Sequence, residues 1–283
     1  MLQKLADLDK RWIFLALAVV VILPLIFPLG LPVEPGQMSR KFYERIERLP
    51  EGSKVCMSFD YGPGTEIECQ PMAAAALKHL FSRKCRVVCI SLVPEGSMLA
   101  RRTLDQVAAE CKVVYGVDYV NLGYKNGGEA VLRNMGESIK SVFSADFSGK
   151  ALDSMPIMQD IVNWESFALV IDWSVGRPGV AEYVRIVVGQ YHRPLLAGTT
   201  AVTAPEAYPF VNAGQVEALL GGLRGAGEYE VLAGIKGGRA CRGLEAQSSA
   251  HFFVAFLIIL ANVIYFADRR SKRLGRGTGE RRR

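Results

Sequence analysis

Histidine is scarce in this chain, three among 283 residues, and His79, His192 and His251 lie far apart. No histidine–cysteine spacing of the kind that holds zinc occurs. Also absent are a GxSxG nucleophile elbow, a GxxxxGK[ST] phosphate loop and a complete GxGxxG turn. These gaps remove the commonest signatures of nucleophilic, metal and dinucleotide chemistry. No catalytic residue, metal site or cofactor is therefore expected.

Charge is missing from two long stretches. Ile13 to Phe27 contains none, and with Trp12 and Leu29 to Leu31 it makes a first apolar segment, 12–32. Phe252 to Ala267 makes a second, 250–267 with its flank, in which Asn262 is the one strongly polar interior residue. About 20 apolar helical residues cross a hydrocarbon core, so both segments are expected to be membrane helices. The first also suits a signal peptide, because Lys4, Lys10 and Arg11 precede it. Its length and the lack of a small-x-small cleavage site favour a retained signal anchor. Asn262 is placed either to bond across the bilayer to the other helix or to be solvated at the interface.

The net charge of +6 is unevenly spread. The tails 1–11 and 268–283 carry eleven of the 34 basic residues and only four of the 28 acidic ones, which leaves the middle close to neutral. A basic chain of this kind points to membrane orientation rather than nucleic acid. Both tails are expected in the cytoplasm of a two-pass plasma-membrane protein, with residues 33–247 outside. Arg40, Lys41, Arg45 and Arg48 pull the other way, but they alternate with Glu44 and Glu47 as on a solvated helix.

The six cysteines do not read as a disulfide framework. Cys85 and Cys89 sit on one expected strand, about 13 Å apart at 3.3 Å per residue. Cys56 and Cys111 read as small buried hydrophobes, and pairing of Cys69 with Cys241 stays open.

Between the apolar segments, short apolar runs alternate with helical patterns. Strands are expected at 55–59, 86–92, 119–122, 167–171 and 194–202, and helices at 68–82, 99–114, 129–143, 180–189 and 214–228. The segment 144–165 breaks the rhythm as an irregular loop with a short helix near Pro156. Strand alternating with helix implies an α/β fold, a mostly parallel, doubly wound, Rossmann-like or flavodoxin-like sheet of about five strands.

Ligands of such sheets gather beyond the carboxyl ends of the strands. Candidate binding residues there are Asp60, Gly62 and Gly64, then Lys125, Asn126 and Gly127, then Asp172, and finally Thr199 and Thr200. Glycines at a helix start with Lys125 beside them suit an anion, and Asp60 and Asp172 suit ribose hydroxyls or a cation. The same residue types are also ordinary turn formers and helix caps. In the run Gly214 to Glu230, Gly221, Gly222 and Gly225 would give a smooth helix face for close packing, against the sheet or a partner.

This Leu-Leu-Gly-Gly-Leu-Arg-Gly-Ala-Gly-Glu-Tyr-Glu run, with Ala197 to Pro205 before it, resembles a group of uncharacterised prokaryotic two-span membrane proteins. The resemblance brings no activity with it. The order anchor, domain, anchor, basic tail is also similar in architecture to auxiliary subunits of export-type ABC systems. The expected function is a non-enzymatic membrane protein whose domain serves in assembly or ligand sensing. Its expected partners are the bilayer and either other subunits of a membrane complex or further copies of itself. The alternative is a membrane-tethered enzyme or nucleotide-type binder using the strand-end crevice.

Overall fold

Every described strand runs the same way, which follows from connections long enough to carry a helix back across the sheet. A computed structural model describes residues 9–279. The described residues fall into two compact units. One runs Val33–Cys241; the other joins the segment up to Pro32 to the segment from Arg242.

In the larger unit, helix α2 (Gln37–Glu47) leads into β1 (Lys54–Asp60), α3 (Glu66–Ser82), β2 (Arg86–Ser91), α4 (Pro94–Cys111) and β3 (Tyr119–Tyr124). A broken helical segment follows, α5 (Glu129–Glu137) and α6 (Ile139–Val142). Three 3-10 turns at Leu152–Ser154, Pro156–Met158 and Trp164–Ser166 fill the expected irregular stretch. Then come β4 (Leu169–Ser174), α7 (Val180–Tyr183, continued by a π-turn at Val184–Val188), β5 (Leu195–Thr199) and α8 (Ala204–Asn212). β6 (Ala218–Gly221) and α9 (Gly222–Leu232) complete the layers. The six parallel strands are ordered β3-β2-β1-β4-β5-β6. This is a doubly wound α/β sheet whose direction of winding reverses between β1 and β4.

Strand side chains alternate between two cores. Met57, Phe59, Ile171 and Trp173 face α2, α3, α4 and α9, whereas Cys56 and Val170 face α5, α6, α7 and α8. Near-continuous apolar strands such as Val87-Val88-Cys89-Ile90 are what burial on both faces requires.

Two expected elements need correction. The glycine-rich stretch 214–228 is not one helix: Ala218–Gly221 forms the sixth strand, buried beside β5, and the helix starts only at Gly222. Gly222 adopts φ +63, and a Cβ there would come within 2.7 Å of Ala201, so this glycine makes a strand-to-helix turn. Gly225 lies against Leu220, and Gly221 ends the strand against Ala204. Their packing is internal to the domain. The basic helix after the first apolar segment is also more than a solvated one. Phe42 and Ile46 of α2 are fully buried against Trp173 and Tyr229 and their neighbours.

The distinctive Glu228-Tyr229-Glu230 run on α9 clasps both ends of the domain. Glu228 accepts hydrogen bonds from the Gly36 N–H at 2.9 Å and the Ser39 hydroxyl at 2.7 Å. Glu230 accepts from the N–H groups of Ala240 and Cys241 at 3.1 and 2.9 Å. Between them, Tyr229 bonds Nδ1 of buried His79, whose Nε2 meets Glu47. Burial holds His79 below its usual pKa, against the pull of the Glu47 hydrogen bond.

In the smaller unit, α1 (Lys10–Ile26) has 17 residues, about 26 Å at 1.5 Å each. It therefore ends before the expected limit at residue 32, because Pro24 lies within its last turn and Pro28 follows. Helix α10 (Arg239–Gly279) contains the second apolar segment. Over Arg239–Ala267 it is the one described helix both long and apolar enough to cross a membrane. Asn262 donates to the Ile258 carbonyl of its own helix at 2.8 Å rather than to α1. Contact between the two segments comes instead from Glu245 of α10, which accepts from the N–H groups of Leu29 and Leu31 at 2.7 and 3.0 Å.

Candidate functional site

The residues at the reversal point are Asp60, ending β1, and Asp172, near the end of β4. Register pairs Ser58 with Asp172 and Asp60 with Ser174, so all four project from the same sheet face. Both carboxyls are fully buried. Asp172 accepts from the hydroxyls of Ser58 at 2.8 Å and Ser174 at 2.6 Å. Asp60 accepts from the Leu92 N–H at 2.5 Å and the Tyr183 hydroxyl at 2.8 Å. Burial pushes Asp60 up to about 6, with those donors opposing it. Burial, reinforced by the neighbouring Asp60, pushes Asp172 up to about 8. Burial and mutual repulsion thus oppose full ionisation of the two carboxyls together. With no solvent contact, these carboxyls are a satisfied polar network inside the core.

Open space lies next to them. A cavity of about 220 Å³ sits beyond the carboxyl ends of β4 and β5, between α7 and α8. Ser174 and Thr199 form its strand-end floor, and Arg177, Glu182, Thr203 and Glu206 bring polar groups to its walls. Val180, Ala181, Ala207 and Phe210 supply apolar surface. Ser174 thus belongs both to the cavity and to the buried pair. Thr199 bonds the Thr203 hydroxyl, and Thr200 bonds it at 2.9 Å. The Glu182 carboxylate accepts from the Gly179 N–H at 3.0 Å and lies 3.9 Å from Arg185.

Of the candidates from sequence, Thr199 lines the cavity, Asp172 touches it through Ser174, and Thr200 braces Thr203. Lys125, Asn126 and Gly127 are exposed at the end of β3, on the far side of β2 and β1 from β4. They are not among the residues lining the cavity. Gly62 precedes and Gly64 lies within the 3-10 turn Pro63–Thr65, and a Cβ added at either would meet nothing. The acidic residues Glu66, Glu206 and Glu228, which the sequence allows beside Asp172 only under an assumed strand order, do not converge with it. Glu66 pairs with Arg102, Glu228 sits in the other helical layer, and only Glu206 reaches the cavity.

The cavity residues outside that set of binding candidates are Ser174, Arg177, Glu182, Thr203, Glu206 and Phe210 among others; Ser174 and Arg177 fall in the run Asp172–Gly179 that follows the fourth expected strand. Ser174, two positions past Asp172 on a strand, was accessible by period-two alternation once β4 was run on past Ile171. Phe210 and Glu206 lie on α8, which no clear periodicity announced.

The cysteines form no disulfide among the described residues. Burial raises the thiols of Cys56, Cys69, Cys85 and Cys89, which keeps them protonated and unreactive. Among the described residues no cluster of side chains is arranged to hold a metal ion.

Fold and site together define a doubly wound parallel α/β domain with a small strand-end cavity. Compared with known proteins, the chain matches no family model, no curated protein and no solved structure.

Proposed function

We propose that this chain is a membrane-tethered ligand-sensing protein whose α/β domain binds a small polar solute beyond β4 and β5. The carrying observation is the cavity there, with charged and hydroxyl side chains and an apolar wall, at the end of the sheet where such folds take ligands. The buried carboxyl pair argues against hydrolysis or proton abstraction by Asp60 or Asp172, because neither reaches solute. Tethering is supported by the apolar helix α10, by the uncharged run Trp12 to Ile26 of α1, and by Glu245, which accepts hydrogen bonds from Leu29 and Leu31 and so joins the two segments. The basic tails favour cytoplasmic termini with the domain outside, on the positive-inside rule.

The test is thermal melting of the full chain in nanodiscs against a broad panel of small metabolites. At least one solute should raise the melting temperature, and Ala181→Phe, which fills the cavity, should abolish that shift without unfolding the protein. A panel with no effect, or a shift that survives Ala181→Phe, overturns the reading.

A further inference from the structure

We infer that the cavity beyond β4 and β5 takes a small aliphatic zwitterion of the α-amino-acid type, an inference resting on the ligand-sensing reading above. Three charged residues line this one space; Glu182 is engaged by Arg185 and the Gly179 N–H, which leaves Arg177 from the loop after β4 and Glu206 from the first turn of α8. Both are exposed. Neither side chain has an ion-pair or hydrogen-bond partner among the described residues, and the two do not pair with each other.

That is unlike their surroundings. Arg185 beside the same cavity pairs with Glu129 and Glu182, and Glu129 also holds Arg133. Charges nearby are thus engaged, while one cation and one anion are left facing a shared volume.

A solute with a single negative group would satisfy Arg177 but meet the like charge of Glu206 and Glu182. A simple amine would find the carboxylates and leave Arg177 facing a cation. A molecule carrying a carboxylate and an ammonium on one carbon satisfies both, the carboxylate matching the planar guanidinium fork. The volume, about 220 Å³, is below the range of roughly 300–1,000 Å³ that holds drug-sized ligands, so the solute is small. Val180, Ala181, Ala207 and Phe210 would cover an aliphatic side chain.

Isothermal titration of the full chain in nanodiscs with L-valine, isovalerate and isobutylamine tests this. Isovalerate is valine without its ammonium, and isobutylamine is valine without its carboxylate. Valine should bind, both analogues at least tenfold more weakly. Arg177→Gln and Glu206→Gln should each weaken valine at least tenfold with little change in melting temperature, since both side chains are exposed. Isovalerate binding as tightly as valine, or valine binding unchanged in Glu206→Gln, overturns the zwitterion while leaving a ligand cavity. Silence from all three probes, with another panel solute still shifting the melt, does the same. Silence across the whole metabolite panel instead removes the cavity reading itself.

Discussion

Asp172 and Asp60 carry opposite consequences from His79 for stability. Burial raises both carboxyls, so from about pH 4 to 8 the folded chain binds more protons than the unfolded one. Stability therefore falls as pH rises through that window. His79 has a lowered pKa, so its effect is a loss of stability as pH drops below about 6.5, the unfolded value. Between pH 6.5 and 8 most of the slope belongs to the carboxyl pair, with the buried thiols adding to it in the same direction near pH 8. Melting of the wild-type chain should drop by on the order of 5 °C over this window. Asp172→Asn keeps the shape without the titration and should at least halve the drop; an unchanged slope would place its origin elsewhere. Tyr229→Phe should cost about 1–3 kcal/mol in denaturant unfolding, because buried His79 Nδ1 loses its partner. Asp60, Asp172 and Thr199 were legible as strand-end residues because β1, β4 and β5 are strongly apolar. The importance of Arg177 and Glu206 was not, since a lone charge in a loop looks like any solvated one until the space it faces is known.

Five strands were legible from composition, and the sixth was hidden by its glycines. Leu219 and Leu220 sit between Gly214 and Gly227, and four glycines within a few residues read as a loosely packed helix rather than as a strand followed by a turn. The boundary between apolar segment and helix failed in a related way at α1, where hydropathy continues to Leu31 but proline ends the backbone pattern at Ile26. What α9 does is a matter of its neighbours, so periodicity alone could not show it. Glu230 caps the start of α10 through the N–H groups of Ala240 and Cys241, an arrangement in which side-chain capping contributes about 0.5–2 kcal/mol. Glu230→Ala should make trypsin cut sooner at Lys236 and Arg239. Glu228→Ala should instead hasten cutting at Arg40 and Lys41, since it releases Gly36 and Ser39. Equal protection in both variants would mean that α9 does not hold the ends.

At the scale of the whole chain, the prediction concerns sides of a membrane. Four of the six cysteines are buried, so Cys111→Ser with Cys241→Ser gives a quiet background for labelling. In intact cells an impermeant maleimide should reach Asn126→Cys and spare Gly277→Cys; the converse pattern would invert the proposed topology. The clasp formed by Glu228 and Glu230 has a mechanical consequence. Because both ends of the domain are gripped by residues two apart on one helix, a tug on either end is borne by α9 and leaves the strand ladders unloaded. Tension would then arrive at a single rod lying over the sheet, on the face opposite the cavity.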